Sequence, residues 1–177
     1  VGARGRVHAF EPSPRIFEEL GTQCAENPDL APRVELHRLA VSSRSNQTLN
    51  LHTFEGLPHG HSSLSTLGRT DFKSSPVLTV SLDDFIERRS IGRVRLVKVD
   101  VEGAEQEVLR GASKLLRSEA PPIWAIEWNR GTATSNGFEP MDLFAQLSDE
   151  GGYDRFLHDE AGPLDLSQLR QRADSTS

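Results

Sequence analysis

Residues 94–112, VRLVKVDVEGAEQEVLRGA, constrain this chain more than any other stretch, because a short β-branched run passes through a tight acidic turn straight into a helix. Val94, Leu96, Val97, Val99 and Val101 form an almost unbroken apolar segment with Lys98 inside it, which predicts a parallel strand covered on both faces and ending at Asp100. Beyond the turn, Ala104, Val108, Leu109, Ala112, Leu115 and Leu116 recur at helical spacing. Glu105 and Glu107 lead the first turn, and Lys114 and Arg117 close the last. In an open α/β sheet, ligands bind beyond the carboxyl ends of the strands, so Asp100 and Glu102 are aimed at a crevice by topology. A solvated acid favoured by a helix N-terminus accounts well for Glu102 alone. It accounts less well for Asp100, since a charge at the end of a buried strand is usually paired or used.

The remaining pattern is consistent with such a sheet. Arg6–Phe10 predicts a strand; Glu11-Pro12 follows, and Ser13 with Pro14 opens a helix whose core stripe is Ile16, Phe17, Leu20, Cys24 and Ala25. Asn27-Pro28 stops it, and Arg33–Val41 predicts a second strand, completing a βαβ unit. From Ser42 to Pro76 the pattern weakens into a polar loop with one strand at Thr48–Phe54, and Val77–Val80 is a short extended piece. Ser81 and Asp84 form a capping box for a helix reaching about Arg89. Pro121-Pro122 ends the long helix, and Ile123–Trp128 predicts another buried strand that brings Glu127 to the crevice. Met141, Leu143, Phe144 and Leu147 mark a helix ended by Gly151-Gly152, after which Tyr153–His158 and Pro163–Leu166 predict a hairpin. The organisation expected is one domain over 1–170 and a disordered tail over 171–177.

Composition narrows the partner. A net charge of −6 and a pI near 5.5 argue against a nucleic-acid or anionic-membrane surface and favour a small or neutral partner. The single cysteine, Cys24, excludes an internal disulfide and multi-cysteine zinc sites; on its helix stripe it reads as a buried structural thiol, in keeping with a reducing, cytoplasmic compartment. No run approaches the roughly 20 apolar residues of a membrane span, and the oligomeric state is not legible.

Glu11, Asp100 and Glu127 each follow a separate predicted strand, and carboxylates converging on one sheet edge need cationic or hydroxyl-bearing partners. A nucleoside is one. Glu11 with Pro12 holds the place from which an acid accepts hydrogen bonds from ribose hydroxyls in Rossmann folds. In order, GRVHAFEPSP, LHRLAVS, SLDDFI, VRLVKVDVEGAEQEVLRGA and PIWAIEW resemble the FkbM-type S-adenosylmethionine-dependent methyltransferase family, over Gly5 to about Leu166. The resemblance implies a Rossmann-like methyltransferase fold, α/β and mostly parallel with a C-terminal antiparallel hairpin. It implies S-adenosylmethionine as cofactor, with Glu11 on the ribose diol and Leu39, Ala40 and Val41 flanking adenine. Asp100 is then near the sulfonium. The reaction implied is O-methylation of a hydroxyl on a sugar or small secondary metabolite, for which Asp100 is the first choice of base and His61, Glu102 and Glu127 are lesser ones.

The departure from the family lies at the front, where members carry a strand and a glycine-rich loop of the form DxGAxxG that contacts the methionine part of the cofactor. This sequence is expected to lack both, and with them a central strand between Arg6–Phe10 and Val94–Asp100, so that these residues alone bind the cofactor poorly. Two rivals remain at this level. A nicotinamide oxidoreductase needs a G-x-G-x-x-G turn and a Tyr/Lys or His pair, yet the one tyrosine, Tyr153, comes late; a silent interaction module would keep the fold and lose the cofactor loop. His59 and His61, with Asp83 or Glu55, have three-ligand spacing, but histidines in a Gly/Ser loop are more often solvent-facing, and no metal is assigned. The resemblance maps that loop, with Ser62 and Ser63, to the acceptor side. Trp124 reads as core, Trp128 as a strand-end residue, His8 as a satisfied interior histidine, and Lys98 as the partner of an acid.

Overall fold

A computed structural model describes residues 1–2, 4–54, 62–64, 66, 69–127, 140–157 and 163–175. His59, His61, Glu55 and Trp128 lie outside them.

The first βαβ unit forms as its spacing predicts. Strand β1 (Val7–Phe10) pairs in parallel with β2 (Val34–His37), in the register Val7 to Val34 through Phe10 to His37, and helix α1 (Pro14–Ala25) connects them. Pro14 stands at the first helical position, where its missing N–H is no loss, but Ser13 makes no side-chain cap. No residue of α1 is fully buried, so Cys24 is half-buried rather than the core thiol expected.

The predicted strand Arg33–Val41 is in fact two. After β2 the chain leaves β1 and enters β3 (Ala40–Val41), which pairs in parallel with β6 (Phe72–Val80), Ala40 opposite Thr79. Changing partners breaks the strand at Arg38-Leu39. The strand expected at Thr48–Phe54 forms with those bounds as β4 and pairs along seven residues with β6 in an antiparallel ribbon; the first half of β6, like β5 (Ser62–Ser63) bordering β4, was expected as polar loop. Leu51 and Val77 bury inward with Ala40 to form its small core, while the polar alternates face water; the many Ser and Thr residues hid the β6 half of this alternation from the sequence pattern.

Helix α2 (Leu82–Arg88) is capped by Ser81, whose hydroxyl accepts the Asp84 N–H. The reciprocal half of the expected box is replaced: the Ser81 N–H donates to Ser45 Oγ at 2.9 Å instead of to Asp84. Next comes β7 (Leu96–Val99), parallel to β8 (Ile123–Ile126), with Leu96 opposite Ile123 and Val99 opposite Ile126. These strands alternate rather than being covered on both faces, as Val99 is buried whereas Leu96 and Ile123 are 59% and 70% exposed. Among the described residues, β1–β2 and β7–β8 are separate two-stranded ladders.

One long helix was expected after the acidic turn; two short ones are present, α3 (Glu105–Arg110) and α4 (Ser113–Leu116). The break at Gly111 has a cause. A Cβ there would stand 2.2 Å from the Ser42 carbonyl oxygen, so the backbones touch, and the Gly111 carbonyl accepts the Asp83 N–H at 2.9 Å. Asp83 also caps α4 from outside, its carboxylate accepting the Lys114 and Leu115 N–H groups at 2.8 and 3.0 Å. It is thereby committed to a helix end.

Helix α5 (Pro140–Gly151) ends as predicted, with Gly152 at φ +68° and its N–H on the Ser148 carbonyl. Strands β9 (Phe156–Leu157) and β10 (Pro163–Leu164) form the antiparallel hairpin. Helix α6 (Leu166–Ser175) extends through residues 171–175, where no structure was expected. Leu109, Leu116, Leu143, Leu147, Phe156, Leu164 and Leu169 form the main core, joining α3 to α6 beneath β8. Trp124 packs there, as read, with its indole N–H on Tyr153 Oη at 2.9 Å, while the Tyr153 hydroxyl donates to the Pro122 carbonyl.

Candidate functional site

A second core cluster places the strand ends. Val99, Val108, Leu82, Ala112 and Leu115 are buried together, and Phe10, Val41, Val97 and Val101 pack against them. Glu11 follows Phe10 and Asp100 follows Val99, so both acids stand one residue beyond members of a single cluster, at the carboxyl ends of β1 and β7.

Glu11 is half-buried, and burial pushes its carboxyl above the ordinary glutamate range, opposed by the Ser13 N–H, which donates to Oε1 at 2.7 Å. The Glu11 N–H donates to the His37 carbonyl, extending the β1–β2 ladder by one bond. A desolvated carboxylate aimed by a turn is a poised acceptor for hydroxyl donors. Pro12, half-buried, sets that turn.

Asp100 is exposed and pairs with Lys98, whose ammonium lies 2.7 Å from Oδ2 and is raised above the usual lysine range by that bond. The pairing expected of Lys98 is thus found. Glu127, also exposed, adds a smaller pull on the same ammonium, and its N–H donates to the Val99 carbonyl at 2.8 Å. Asp100, Glu127 and Lys98 therefore share one strand-end neighbourhood.

The turn between Asp100 and α3 is strained. Glu102, a non-glycine residue, sits at φ +50° and Gly103 at φ +98°, a left-handed pair that costs on the order of 1 kcal/mol at the glutamate. Two bonds hold it: the Ser63 hydroxyl donates to the Glu102 carbonyl at 2.8 Å, and the Gly103 N–H donates to Glu105 Oε1 at 2.9 Å. Glu105 is buried, and desolvation raises its carboxyl above the ordinary range against those backbone bonds. Sequence reasoning took Glu105 as a helix-start acid and missed this role. The signal was available in EGAE, a carboxylate two residues beyond a glycine turn.

The adenine-side trio is divided. The Ala40 side chain is turned into the ribbon core with Leu51 and Val77, Val41 packs against the Val99 cluster, and Leu39 is half-buried outside both. A cavity of ≈ 450 Å³ lined by Ile86, Val94, Lys114 and Leu115 lies at the opposite, amino end of β7, away from the acids.

A βαβ unit, acids beyond the carboxyl ends of parallel strands and a late antiparallel hairpin define a Rossmann-like α/β domain of the methyltransferase type. The same fold occurs in the FkbM methyltransferase from Methylobacillus flagellatus, which matches 85% of this chain and 31% of its own length with a TM-score of 0.55 at 19% identity. Residues 1–155 match the Methyltransferase FkbM domain, and the chain belongs to that family. The hexuronic acid methyltransferase AglP of Haloferax volcanii is 36% identical over 150 residues, covering 82% of this chain and 54% of AglP. The 2-O-methyltransferase NoeI of Sinorhizobium fredii is 28% identical over 127 residues, covering 64% of this chain and 50% of NoeI. The chain thus spans about half the length of these relatives. No helix among the described residues is long and apolar enough to cross a membrane.

Proposed function

We propose that this domain transfers a methyl group from S-adenosylmethionine to a hydroxyl of a sugar, of which a hexuronic acid is the first candidate. The observation carrying this reading is the placing of Glu11 and Asp100 beyond β1 and β7 over one shared core cluster, in a chain of the FkbM family. The names of AglP and NoeI favour a sugar acceptor. The residues suit the cofactor. Glu11, desolvated and directed by the Ser13 N–H, would hold the ribose diol; Pro12 and Leu39 border it; and the acids at the strand ends suit a ligand with a positive sulfonium. When bound, S-adenosylmethionine supplies an electrophilic methyl that needs little further activation.

The chain's own residues then have positional work. Asp100, held by Lys98, would orient the acceptor hydroxyl and receive its proton, and Glu127 would tune the same ammonium. Glu102 stands on the strained turn beside them, and His61 remains a proposed lesser base on the acceptor side. The β1–β2 and β7–β8 ladders are read as parts of one sheet that carries both acids along its edge. The proposed setting is cytoplasmic.

The test is calorimetric titration of the full-length protein with S-adenosylmethionine and its demethylated product. Micromolar or tighter binding, weakened at least about tenfold in Glu11→Ala by loss of charged hydrogen bonds, is expected. Unaltered binding in that variant overturns the ribose assignment.

A further inference from the structure

Outside the acids of the candidate site, β1 and β2 carry three metal-ligating side chains on one face. His8 is the register partner of Glu35, and His37 lies two residues beyond Glu35, so the two-residue period of a strand turns all three the same way. They converge. His8 Nδ1 stands 3.1 Å from His37 Nε2, Glu35 Oε2 is 3.7 Å from His8 Nδ1, and Glu35 Oε1 is 3.9 Å from His37 Nε2. The candidate ligand atoms of the three residues all lie within 4.8 Å of one another.

Two imidazole nitrogens at 3.1 Å can hold a single proton between them, and an N–H···N bond is one way to satisfy the pair. The third group distinguishes this cluster. A carboxylate facing both nitrogens adds a third ligating atom of the kind zinc takes, which one proton shared between the two rings does not use. The spacings also bracket the edge of about 3.4 Å of a tetrahedron whose ligands stand about 2.1 Å from a central zinc ion.

The rings are held in place. Phe10 stacks on His37 with centroids 5.0 Å apart, and Phe85 of α2 presents its edge to His8 and His37 at 5.1 and 4.8 Å. His37 is 8% exposed, so its ring is fixed among these aromatic neighbours. Glu35 is 45% exposed and opens the cluster to solvent. Arg89, paired with Glu35 and lying over the Phe85 ring, both steadies the carboxylate and repels an incoming cation.

We propose that His8 Nδ1, His37 Nε2 and the Glu35 carboxylate form a binding site for one divalent transition-metal ion of the zinc type, with solvent completing a four-coordinate shell. The ion ties β1 to β2. Because the His37 carbonyl accepts the Glu11 N–H, it braces the strand end that carries Glu11 without belonging to the strand-end site itself. The assignment stands independently of the methyl-transfer reading.

Chelator-treated full-length protein is titrated with Zn²⁺ by calorimetry and with Co²⁺ by visible absorption, as wild type and as His8→Phe, His37→Phe, Glu35→Gln and Arg89→Gln. One site with four-coordinate Co²⁺ bands is expected in the wild type. It is lost in either histidine variant, weakened about 10–100-fold in Glu35→Gln, and as tight or tighter in Arg89→Gln. Unchanged stoichiometry and affinity in the doubly substituted His8→Phe/His37→Phe protein overturns the site and moves any bound zinc to other histidines. So does an absence of binding. If a variant fails to fold, imidazole NMR of the wild type decides: Zn²⁺ must perturb the His8 and His37 resonances, and their indifference refutes the proposal.

Discussion

Replacing Glu105 by alanine tests the acidic turn directly. The carboxylate is buried and accepts the Gly103 N–H at 2.9 Å, and Gly103 is itself buried, so truncation leaves a backbone donor without its partner inside the protein. An orphaned buried donor costs about 1–3 kcal/mol, and here it falls where Glu102 and Gly103 are held at positive φ. Glutamine behaves differently. Its amide oxygen can take the same N–H, and it removes a carboxylate whose ionisation burial opposes. The sign follows from linkage. With a native pKa raised above the ordinary 4.5, the folded protein retains a proton that the unfolded chain has lost, so this group's contribution falls as pH rises from about 4.5 through the native value. Urea denaturation at pH 4 and pH 7 is the assay. Glu105→Ala should lose about 2 kcal/mol at low pH, where the wild-type carboxyl is protonated, and less at pH 7, while Glu105→Gln should match the wild type at pH 4 and equal or exceed it at pH 7. Equal losses in the two variants at both pH values would refute the argument, since the bond to Gly103 would then contribute nothing.

Gly111→Ala should destabilise by about 1–3 kcal/mol, because the added methyl meets the Ser42 backbone, which cannot turn aside as a side chain can; thermal melting checks this. Tyr153→Phe strips the hydroxyl between the Trp124 indole N–H and the Pro122 carbonyl and should cost about 1–2 kcal/mol, with a change in tryptophan fluorescence reporting the altered indole.

Periodicity and turn chemistry carried most elements into view. The βαβ start, the Ser81 cap, the Gly151-Gly152 helix stop and the late hairpin all rest on interactions within a few residues, which local pattern can report. Strand β4 was legible, but its pairing with β6 spans about 20 to 30 residues of sequence, and the first half of β6 carries Lys73, Ser74, Ser75 and Pro76, a composition shared with loops. The candidate site divides likewise. Asp100 and Glu11 were legible because each follows a strand, whereas Ser63 became visible as a support of the Glu102 turn only in three dimensions, 39 residues from its partner.

Order along the chain thus dictated the element types, the polarity of the strands and the acids that end them, since these depend on neighbouring residues and on a two- or 3.6-residue repeat. Folding settled which groups meet. The break at Gly111, the capping of α4 by Asp83 and the convergence of His8, Glu35 and His37 arise from contacts between distant segments, where burial and backbone approach have no imprint on local pattern.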